Sequence, residues 1–323
     1  MYRTTILKWC LLLGCVYQAR AQRIIIETGY EQKAPVIFTN DNPGKHFYSR
    51  FMDNSVIVSD RDNKLGKLDV RSKVMKQYEN IEVSPGTVSW IQDGLIYFLE
   101  DDRRNKTGKV VSLDVTSAVK KESSSGGENP PFRLNAATWE NASFLWMFGG
   151  GYIHPETGEF IFLNDFWQLD KKSNRWTLLR TRQTPEPGSR AVTWMYENTL
   201  YLYGGYNINP FKDMWKYNLK EAQWEKMEIN EKELSPGLRL DAHSWVSDGE
   251  LWLWGGENFT TDIEPFFWIF NLEKQKWSRV FPNKLINPRD CNSVFYEEGV
   301  LYLQMHTEKN NVLIAKIIPL EKK

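Results

Sequence analysis

The sequence predicts an all-β protein of six four-stranded antiparallel sheets, arranged radially so that each sheet covers its neighbours. Two observations carry this prediction: a short hairpin phrase recurs along the chain, and a second pair of strands marked by tryptophan follows it. Aromatic residues are also abundant, with 14 Trp, 14 Tyr and 17 Phe among 323 residues. Because a single such sheet exposes both of its apolar faces, several sheets must cover one another.

The hairpin phrase is clearest in residues 135–150, 190–205 and 241–256. Each copy has a small residue, a hydroxyl residue and Trp, then a polar turn, then an alternating strand that ends in Gly-Gly. Two β-rich runs around a tight turn predict a hairpin, and the glycine pair predicts positive φ or a close approach to another segment. Weaker copies extend the series to six hydroxyl positions, 40 to 55 residues apart: Ser49, Ser89, Thr138, Thr193, Ser244 and Ser293.

A second pair of strands completes each repeat. In repeats three to five the third strand contains a Trp and the fourth begins near another. These pairs are Trp167 and Trp176, Trp215 and Trp224, and Trp268 and Trp277. Each repeat is therefore predicted to be a meander of about 50 residues. We expect the tryptophans to pack between sheets rather than to stack on sugars or bases.

The last repeat has one strand fewer than the others. Its hairpin is followed by residues 311–320, which supply a third strand but no fourth. Residues 23–29, RIIIETG, form a spare strand before the first repeat. Pairing these two segments would close the six sheets into a ring and remove two exposed sheet edges.

Repeats three to five carry the marks of a known family. Gly-Gly follows an alternating strand, Asp165 and Trp167 come next, and Trp176 lies about ten residues further on; repeat four repeats this pattern with Asp213. Over residues 130–280 the chain resembles the kelch-repeat family of the galactose oxidase central-domain-like superfamily. This resemblance implies a six-bladed kelch-type β-propeller with four-stranded antiparallel blades, and the spare strand predicts a ring closed by the N-terminal strand.

Residues 1–21 have the pattern of a secretory signal peptide. Basic residues precede a short apolar core, and a small-x-small cleavage pattern ends at Ala21. The apolar run is too short to span a membrane. We therefore expect a secreted, extracellular protein whose residues 22–323 form a single monomeric propeller domain. The alternative is a bacterial protein that is periplasmic or lipid-anchored through Cys15.

Charge and motifs argue against several other classes. The chain has 41 Lys and Arg against 41 Asp and Glu, so it lacks the basic stripe that binds nucleic acid. It has no phosphate loop, metalloprotease helix or nucleophile elbow, and we predict no catalytic residue, metal or cofactor. Cys291 occupies the repeat slot of Ala136 and Ala191. It is therefore predicted to be a small buried residue, not the crosslinked cysteine that galactose oxidase chemistry needs.

Loop lengths distinguish two faces of the predicted disc. Turns between first and second strands are tight, as at Asp93-Gly94. The loops between second and third strands, and the connections between repeats, lie on the other face. Long loops on a rigid scaffold usually carry binding residues, so we expect a protein or glycan partner there. The long segments are residues 120–132, 149–165, 180–189 and 255–267.

Four arginines stand at the starts of the predicted innermost strands. They are Arg133, Arg190, Arg239 and Arg289. Guanidinium groups that converge on the channel mouth would bind a carboxylate or sulfate on a ligand. Asp241 and Asp290 lie in the repeat slot of Arg190 and could instead neutralise the arginines in pairs. His243 belongs either to this ligand site or to the hydrogen bonding of its own inner strand.

Two function classes remain. The first is a secreted, non-catalytic scaffold for a protein or a glycan. The alternative is a carbohydrate-active enzyme similar to the secreted sialic acid epimerases (mutarotases), which use a six-bladed kelch propeller and need an acid/base pair beside an arginine-lined channel mouth. Glu257, Asp262 and Glu264 are the acidic candidates. Three sequons are candidate glycosylation sites if the source is a eukaryote: Asn105, Asn141 and Asn258.

Overall fold

The computed structural model describes most of the chain from residue 75 onward and separate segments before it. The described ranges are 23–27, 49–52, 55–59, 64–69, 75–102, 107–123, 126–229, 234–259, 264–283, 286–297, 300–305 and 312–318. These ranges contain 26 strands and one 3-10 turn, Pro288–Asp290. Within them, no helix has both the length and the apolar character that crossing a membrane requires.

The strands of the described ranges form six four-stranded antiparallel sheets and one separate hairpin. The first strand along the chain, β1 (Arg23–Glu27), belongs to the last sheet. Sheet 1 contains β2 (Ser49–Met52), β3 (Ser55–Ser59), β4 (Lys64–Asp69) and β5 (Met75–Glu82). Sheet 2 contains β6 (Ser89–Gln92), β7 (Leu95–Asp102), β8 (Thr107–Asp114) and β9 (Val119–Ser123).

The middle of the chain forms sheet 3, the hairpin and sheet 4. Sheet 3 contains β10 (Ala137–Glu140), β11 (Phe144–Phe148), β14 (Phe166–Asp170) and β15 (Arg175–Leu179). The hairpin consists of β12 (Gly151–Ile153) and β13 (Phe160–Phe162). Sheet 4 contains β16 (Val192–Tyr196), β17 (Thr199–Tyr203), β18 (Met214–Asn218) and β19 (Gln223–Lys226).

The last two sheets differ in how they are completed. Sheet 5 contains β20 (His243–Ser247), β21 (Glu250–Trp254), β22 (Phe267–Asn271) and β23 (Lys276–Val280). Sheet 6 contains β24 (Cys291–Glu297), β25 (Val300–Met305), β26 (Val312–Ile318) and β1. Strand β1 runs antiparallel to β26, with Ile25 opposite Lys316. The N-terminal strand thus occupies the fourth-strand position of sheet 6.

The predicted four-stranded meanders are confirmed, and one element was not predicted. The segment between β11 and β14 was expected to be a long irregular loop, yet it contains the β12–β13 hairpin, with Tyr152 opposite Ile161. Its short alternating runs flank a turn in which Gly158 has φ of 72°. A hairpin needs few residues beyond such a turn, so it forms inside the long loop without changing the repeat.

The repeated hydroxyl residues link the innermost strands of neighbouring sheets. The Thr193 hydroxyl donates a hydrogen bond to the Thr138 carbonyl oxygen at 3.1 Å, and the Ser244 hydroxyl donates to the Thr193 carbonyl oxygen at 2.9 Å. Each such bond satisfies a carbonyl that the strand's own sheet partner leaves available. The hydroxyl therefore fixes how the first strands of two neighbouring sheets are aligned along their length.

In sheets 3 and 4 the tryptophan after the hydroxyl makes a second link between sheets. The indole nitrogen of Trp139 donates to the Tyr201 carbonyl oxygen at 3.1 Å, and that of Trp194 donates to the Trp252 carbonyl oxygen at 2.7 Å. Both rings are almost fully buried. A buried indole N–H usually has an acceptor, and for these two residues the acceptor lies on the second strand of the following sheet.

Buried side chains fill the spaces between successive sheets. Between sheets 3 and 4, the rings of Trp139 and Trp224 lie 6.0 Å apart, and Phe166 packs against both. Comparable clusters lie between sheets 1 and 2, 2 and 3, 4 and 5, and 5 and 6. All nine repeated tryptophans of sheets 3 to 5 are buried, which confirms their predicted packing role.

The Gly-Gly pairs lie where one sheet meets the chain entering the next. Gly149 has φ of 64°, and a Cβ there would lie 2.6 Å from the Gly188 carbonyl oxygen. Gly204 has φ of 67°, and a Cβ there would lie 2.4 Å from the Arg239 carbonyl oxygen. Both reasons for glycine, positive φ and close approach, therefore apply at each position.

Candidate functional site

The candidate site is the corner at which the chain enters each innermost strand. Arg133, Gly188 and Arg239 hold equivalent positions at the corners of sheets 3, 4 and 5. The residue after each makes the equivalent backbone bridge: Leu134 with Gly151, Ser189 with Tyr206, and Leu240 with Glu257. Arg190 stands two residues further on, so it is not equivalent to the other two arginines.

At the corner of sheet 3, Arg133 is fully buried against Asp165. Its Nη2 donates to Asp165 Oδ2 at 2.8 Å, its Nη1 also bonds Oδ1, and Nη1 donates to the Gly149 carbonyl oxygen at 3.1 Å. The Trp167 indole donates to the same carboxylate at 2.6 Å. This bidentate geometry holds the loop before β14 against the corner.

Burial and charge act in opposite directions on Asp165. Burial alone would raise the pKa of its carboxyl, but the hydrogen bonds and positive charge of Arg133 and the Trp167 indole outweigh burial. The pKa of Asp165 therefore lies below its ordinary value of 3.8. The carboxylate is charged at neutral pH, and its role is to hold the arginine.

The corner of sheet 5 repeats this arrangement with Glu264. Arg239 is 1% exposed and pairs with the Glu264 carboxylate, which also accepts the Trp268 indole N–H at 2.9 Å. Burial lowers the pKa of Arg239, and the Glu264 charge opposes that shift. Glu264 lies four residues before Trp268, whereas Asp165 lies two before Trp167, so a different loop length reaches the same contact.

Arg190 is the arginine of the predicted cluster that faces another sheet. Its Nε pairs with Asp241 and its Nη2 lies 3.1 Å from Glu257 Oε2, both from sheet 5. Its side chain is 25% exposed. Its φ is 63°, a left-handed conformation that Asn135 and Asp241 share in the equivalent slots. Asn and Asp tolerate that conformation better than Arg, so the arginine is present at a backbone cost.

The remaining predicted residues lie near sheet 6. Arg289 is exposed in the 3-10 turn, where its backbone N–H donates to Asn287 Oδ1 at 3.0 Å. The His243 Nε2 lies 3.4 Å from the Cys291 carbonyl oxygen, and Cys291 itself is buried, as predicted. The side chain of Asp290 lies outside the described residues. The proposed ligand role of the four arginines and His243 stays a prediction. Three of the arginines form ion pairs within the chain, and two of these, Arg133 and Arg239, are buried.

Sheet 4 has a small open pocket at its corner. The pocket is shallow and opens to solvent. Its walls are mostly apolar, and Asp213, whose side chain is 40% exposed, is among the lining residues. The lining residues include Phe148, Gly188, Leu202, Phe211, Asp213 and Trp215.

The long-loop face also exposes large apolar side chains. Ile153, Ile208 and Phe259 are 64%, 80% and 49% exposed, and they come from the loops of sheets 3, 4 and 5. Asn258 is partly buried, whereas Asn141 is exposed in a turn in which its side-chain oxygen accepts the Ser143 N–H at 2.9 Å. Both sequons keep their status as predictions, and the third, at Asn105, lies outside the described residues.

The described residues offer no arrangement for metal chemistry. No group of three His, Cys, Asp or Glu side chains in these ranges could hold a metal ion. Of the acidic candidates for an epimerase, Glu257 and Glu264 are ion-paired with Arg190 and Arg239, and Asp262 lies outside the described residues.

Comparison with known proteins assigns the fold to a family. A model described as the KLHDC2/KLHL20/DRC7 Kelch-repeats domain matches residues 87–256. The chain belongs to the kelch-repeat family. The matched region runs from sheet 2 to the Gly-Gly pair of sheet 5, so it contains the arginine corner of sheet 3 and the pocket of this kelch domain. It also contains Arg239 but not its partner Glu264.

Two curated relatives share part of the kelch chain. The leucine-zipper-like transcriptional regulator 1 homolog of Drosophila melanogaster is 24% identical over 202 residues, which cover 61% of this chain and 20% of that protein. Mei4-dependent protein 6 of Schizosaccharomyces pombe is 34% identical over 94 residues, which cover 25% of this chain and 13% of that protein. The similarity thus spans a fifth or less of either relative.

Proposed function

We propose that this kelch domain is a non-catalytic scaffold that binds a partner protein on its long-loop face. The main support is the exposure of Ile153, Ile208 and Phe259 on three successive long loops. Exposed apolar side chains on rigid supports are typical of protein interaction sites. The tight turn at Asp248-Gly249 on the opposite face offers few adaptable groups.

Backbone strain adds support for a binding role at one of these loops. Ile208 has φ of 75°, a conformation that a β-branched side chain rarely adopts. The loop keeps this shape through a backbone hydrogen bond from Phe211 to the Gly205 carbonyl oxygen at 2.8 Å. A strained residue with an exposed apolar side chain suits a contact that a partner covers.

A binding screen tests this proposal. Residues 22–323 are screened against a display library of secreted proteins and against a glycan array. The variant Ile153→Ser/Ile208→Ser/Phe259→Ser should lose protein partners. The control is Val119→Ser/Leu178→Ser, which changes exposed apolar residues on outermost strands. Partners that bind both variants equally well would contradict the long-loop assignment. Binding to glycans alone would contradict the proposed protein partner and indicate a glycan ligand.

We propose further that the six sheets close into a ring as the blades of one propeller formed by residues 22–323. The proposal is supported by the β1–β26 pairing, by the clusters between successive sheets and by contacts between β2 and β24. Deleting residues 22–30 should then lower the midpoint of thermal unfolding far more than deleting an unpaired end. An unchanged midpoint would contradict closure.

We also propose that residues 1–21 direct secretion. The support is the sequence pattern alone, and the alternative is lipid attachment at Cys15. N-terminal sequencing and mass spectrometry of the full chain expressed in a secreting host should find a chain that begins after Ala21. A chain that retains residues 1–21, or a lipid on Cys15, would contradict cleavage at that site. In a eukaryotic host, the same mass measurement tests Asn105, Asn141 and Asn258 for glycans.

A further inference from the structure

Sheet 4 keeps two of the three groups that form the arginine clamps of sheets 3 and 5. Asp213 is equivalent to Asp165, because the carbonyl oxygen of each accepts the N–H of the first glycine of its sheet. Trp215 is equivalent to Trp167 by strand register. The third group, the buried arginine, is replaced by Gly188. A carboxylate and an indole therefore frame a position that holds a guanidinium in the two neighbouring sheets.

The missing arginine leaves a pocket rather than a filled core. Gly188, Asp213 and Trp215 all line the open pocket between sheets 3 and 4. Phe211 takes part of the room, since a Cβ on Gly188 would lie 2.9 Å from its ring. The rest is open to solvent, so a side chain could enter from outside but not from residue 188 unless Phe211 moved.

The present partner of Asp213 is a weak substitute for a buried arginine. Lys226 Nζ lies 2.8 Å from Asp213 Oδ2, and the two side chains are 45% and 40% exposed. Its ammonium also lies 6.0 Å from the centre of the Trp215 ring. Exposed pairs of this kind contribute little to stability, so another cation can compete for the carboxylate.

We propose that this pocket receives an arginine side chain of the partner protein. The proposal rests on the proposed function, because the pocket lies among the loops of the long-loop face. The incoming guanidinium would reproduce the clamp of sheet 3, with the Asp213 carboxylate as its bidentate acceptor. Glu186, an exposed residue that also lines the pocket, adds negative charge at the mouth.

The shape of the pocket favours arginine over lysine. In sheet 3 the same guanidinium also donates to the Gly149 carbonyl oxygen, and the equivalent residue in sheet 4, Gly204, lines the pocket. A planar group with several N–H donors can bond a carboxylate and a carbonyl together, whereas an ammonium acts as a point charge. The rings of Phe211 and Trp215 supply flat walls for such a group.

A titration with small probes tests the assignment directly. The probe is Nα-acetyl-arginine N-methylamide, compared with the lysine amide and with the neutral citrulline amide. Binding to ¹⁵N-labelled residues 22–323 is followed by the indole N–H signals in NMR spectra. Only the arginine amide should shift the Trp215 signal, which is assigned with Trp215→Phe. Equal shifts from citrulline or lysine would overturn the guanidinium assignment.

Two variants separate binding from folding. Asp213→Asn should lower the affinity for the arginine amide by about tenfold or more, since it removes a charge-assisted bidentate acceptor. Lys226→Gln should bind the probe at least as well as the parent, because it removes the competing cation. Both side chains are at least 40% exposed, so both variants should keep the thermal unfolding midpoint of the parent. An Asp213→Asn variant that binds the probe as tightly as the parent would refute the proposal.

The partner screen distinguishes failure of this proposal from failure of the proposed function. Partners that are lost with the three-loop variant but retained by Asp213→Asn would refute the arginine pocket and leave the scaffold intact. Binding of the arginine amide that depends on Asp213, in a domain without any protein partner, would support the pocket and contradict the scaffold. Loss of the same partners in the three-loop variant and in Asp213→Asn would support both the scaffold and the arginine pocket.

Discussion

In sheets 3 and 5 an arginine is buried beneath a carboxylate and an indole, whereas in sheet 4 a glycine stands in its place and the carboxylate faces solvent. Arg133 and Arg239 are at most 1% exposed, but the Asp213 side chain is 40% exposed. The surrounding strands, glycines and tryptophans are the same in all three sheets. The packing between sheets is therefore the same throughout, while the corner of sheet 4 differs from those of its two neighbours.

The two clamped corners suggest what the arginine does for the fold. A buried ion pair often adds little net stability, because both charges must leave water, but removal of one partner is costly. Arg133 also bonds the carbonyl oxygens of Gly149 and Pro131. Arg133 thus connects its own segment to those that contain Gly149 and Asp165. The open corner of sheet 4 has no arginine to make these contacts.

The largest expected effect is removal of a buried arginine. Arg133→Ala should destabilise the domain by about 3 kcal/mol, near the lower end for a broken buried pair because the Asp165 side chain retains 26% exposure. Urea unfolding measures the change. The matched control is Lys226→Ala at the open corner, which should cost less than about 1 kcal/mol. Equal costs would mean that the clamped and open corners do not differ energetically.

A pH series tests the charge of the sheet 3 clamp. The pKa of Asp165 is lower in the folded chain than its ordinary value of 3.8, so its ion pair stabilises the fold above about pH 4 and loses that contribution as the pH falls further. Asp165→Asn should therefore be less stable than the parent at pH 7, and the difference should shrink at pH 3. A difference in urea unfolding free energy that is constant across this range would contradict the clamp.

The smallest expected effect is at Arg190. Arg190→Asn installs the residue that sheet 3 uses in the same left-handed slot, and relief of strain should offset the lost surface pairs with Asp241 and Glu257, so stability should change by less than about 0.5 kcal/mol. Thermal unfolding checks this, with Arg239→Ala as a destabilised reference. If Arg190→Asn also weakens the binding of a partner, Arg190 belongs to the binding surface. If it lowers the free energy of unfolding as much as Arg239→Ala does, the two arginines share a structural role.

The sequence predicted the sheets better than the corners. Gly-Gly, the hydroxyl and the tryptophans recur in the same order because they pack one sheet against its neighbours, as the Thr193 to Thr138 hydrogen bond between sheets 4 and 3 shows. The arginines recur without a common register. Arg190 lies two residues beyond the position of Arg133 and Arg239, and only the backbone bridges reveal that Gly188 is their true counterpart.

Loop geometry explains the rest of what the sequence could not predict. Glu264 reaches the same indole contact as Asp165 from a position two residues further from its tryptophan, so spacing alone does not pair it with Arg239. The β12–β13 hairpin arises inside a segment whose length suggested an irregular loop. The pocket of sheet 4 forms because Gly188 has no side chain. A glycine in a loop is common, so the sequence alone does not indicate that this one replaces a buried arginine.

The indole hydrogen bonds of Trp139 and Trp194 have a consequence for measuring motion in this domain. Each N–H is buried and bonded to a carbonyl of the following sheet, so its proton can exchange with deuterium only when two sheets part. Backbone amides of the inner strands exchange when a single sheet frays. Comparison of the two exchange rates would therefore distinguish the separation of neighbouring sheets from the fraying of a single sheet. The same comparison with a partner bound would show whether binding slows the separation of sheets 3 and 4 beside the open corner.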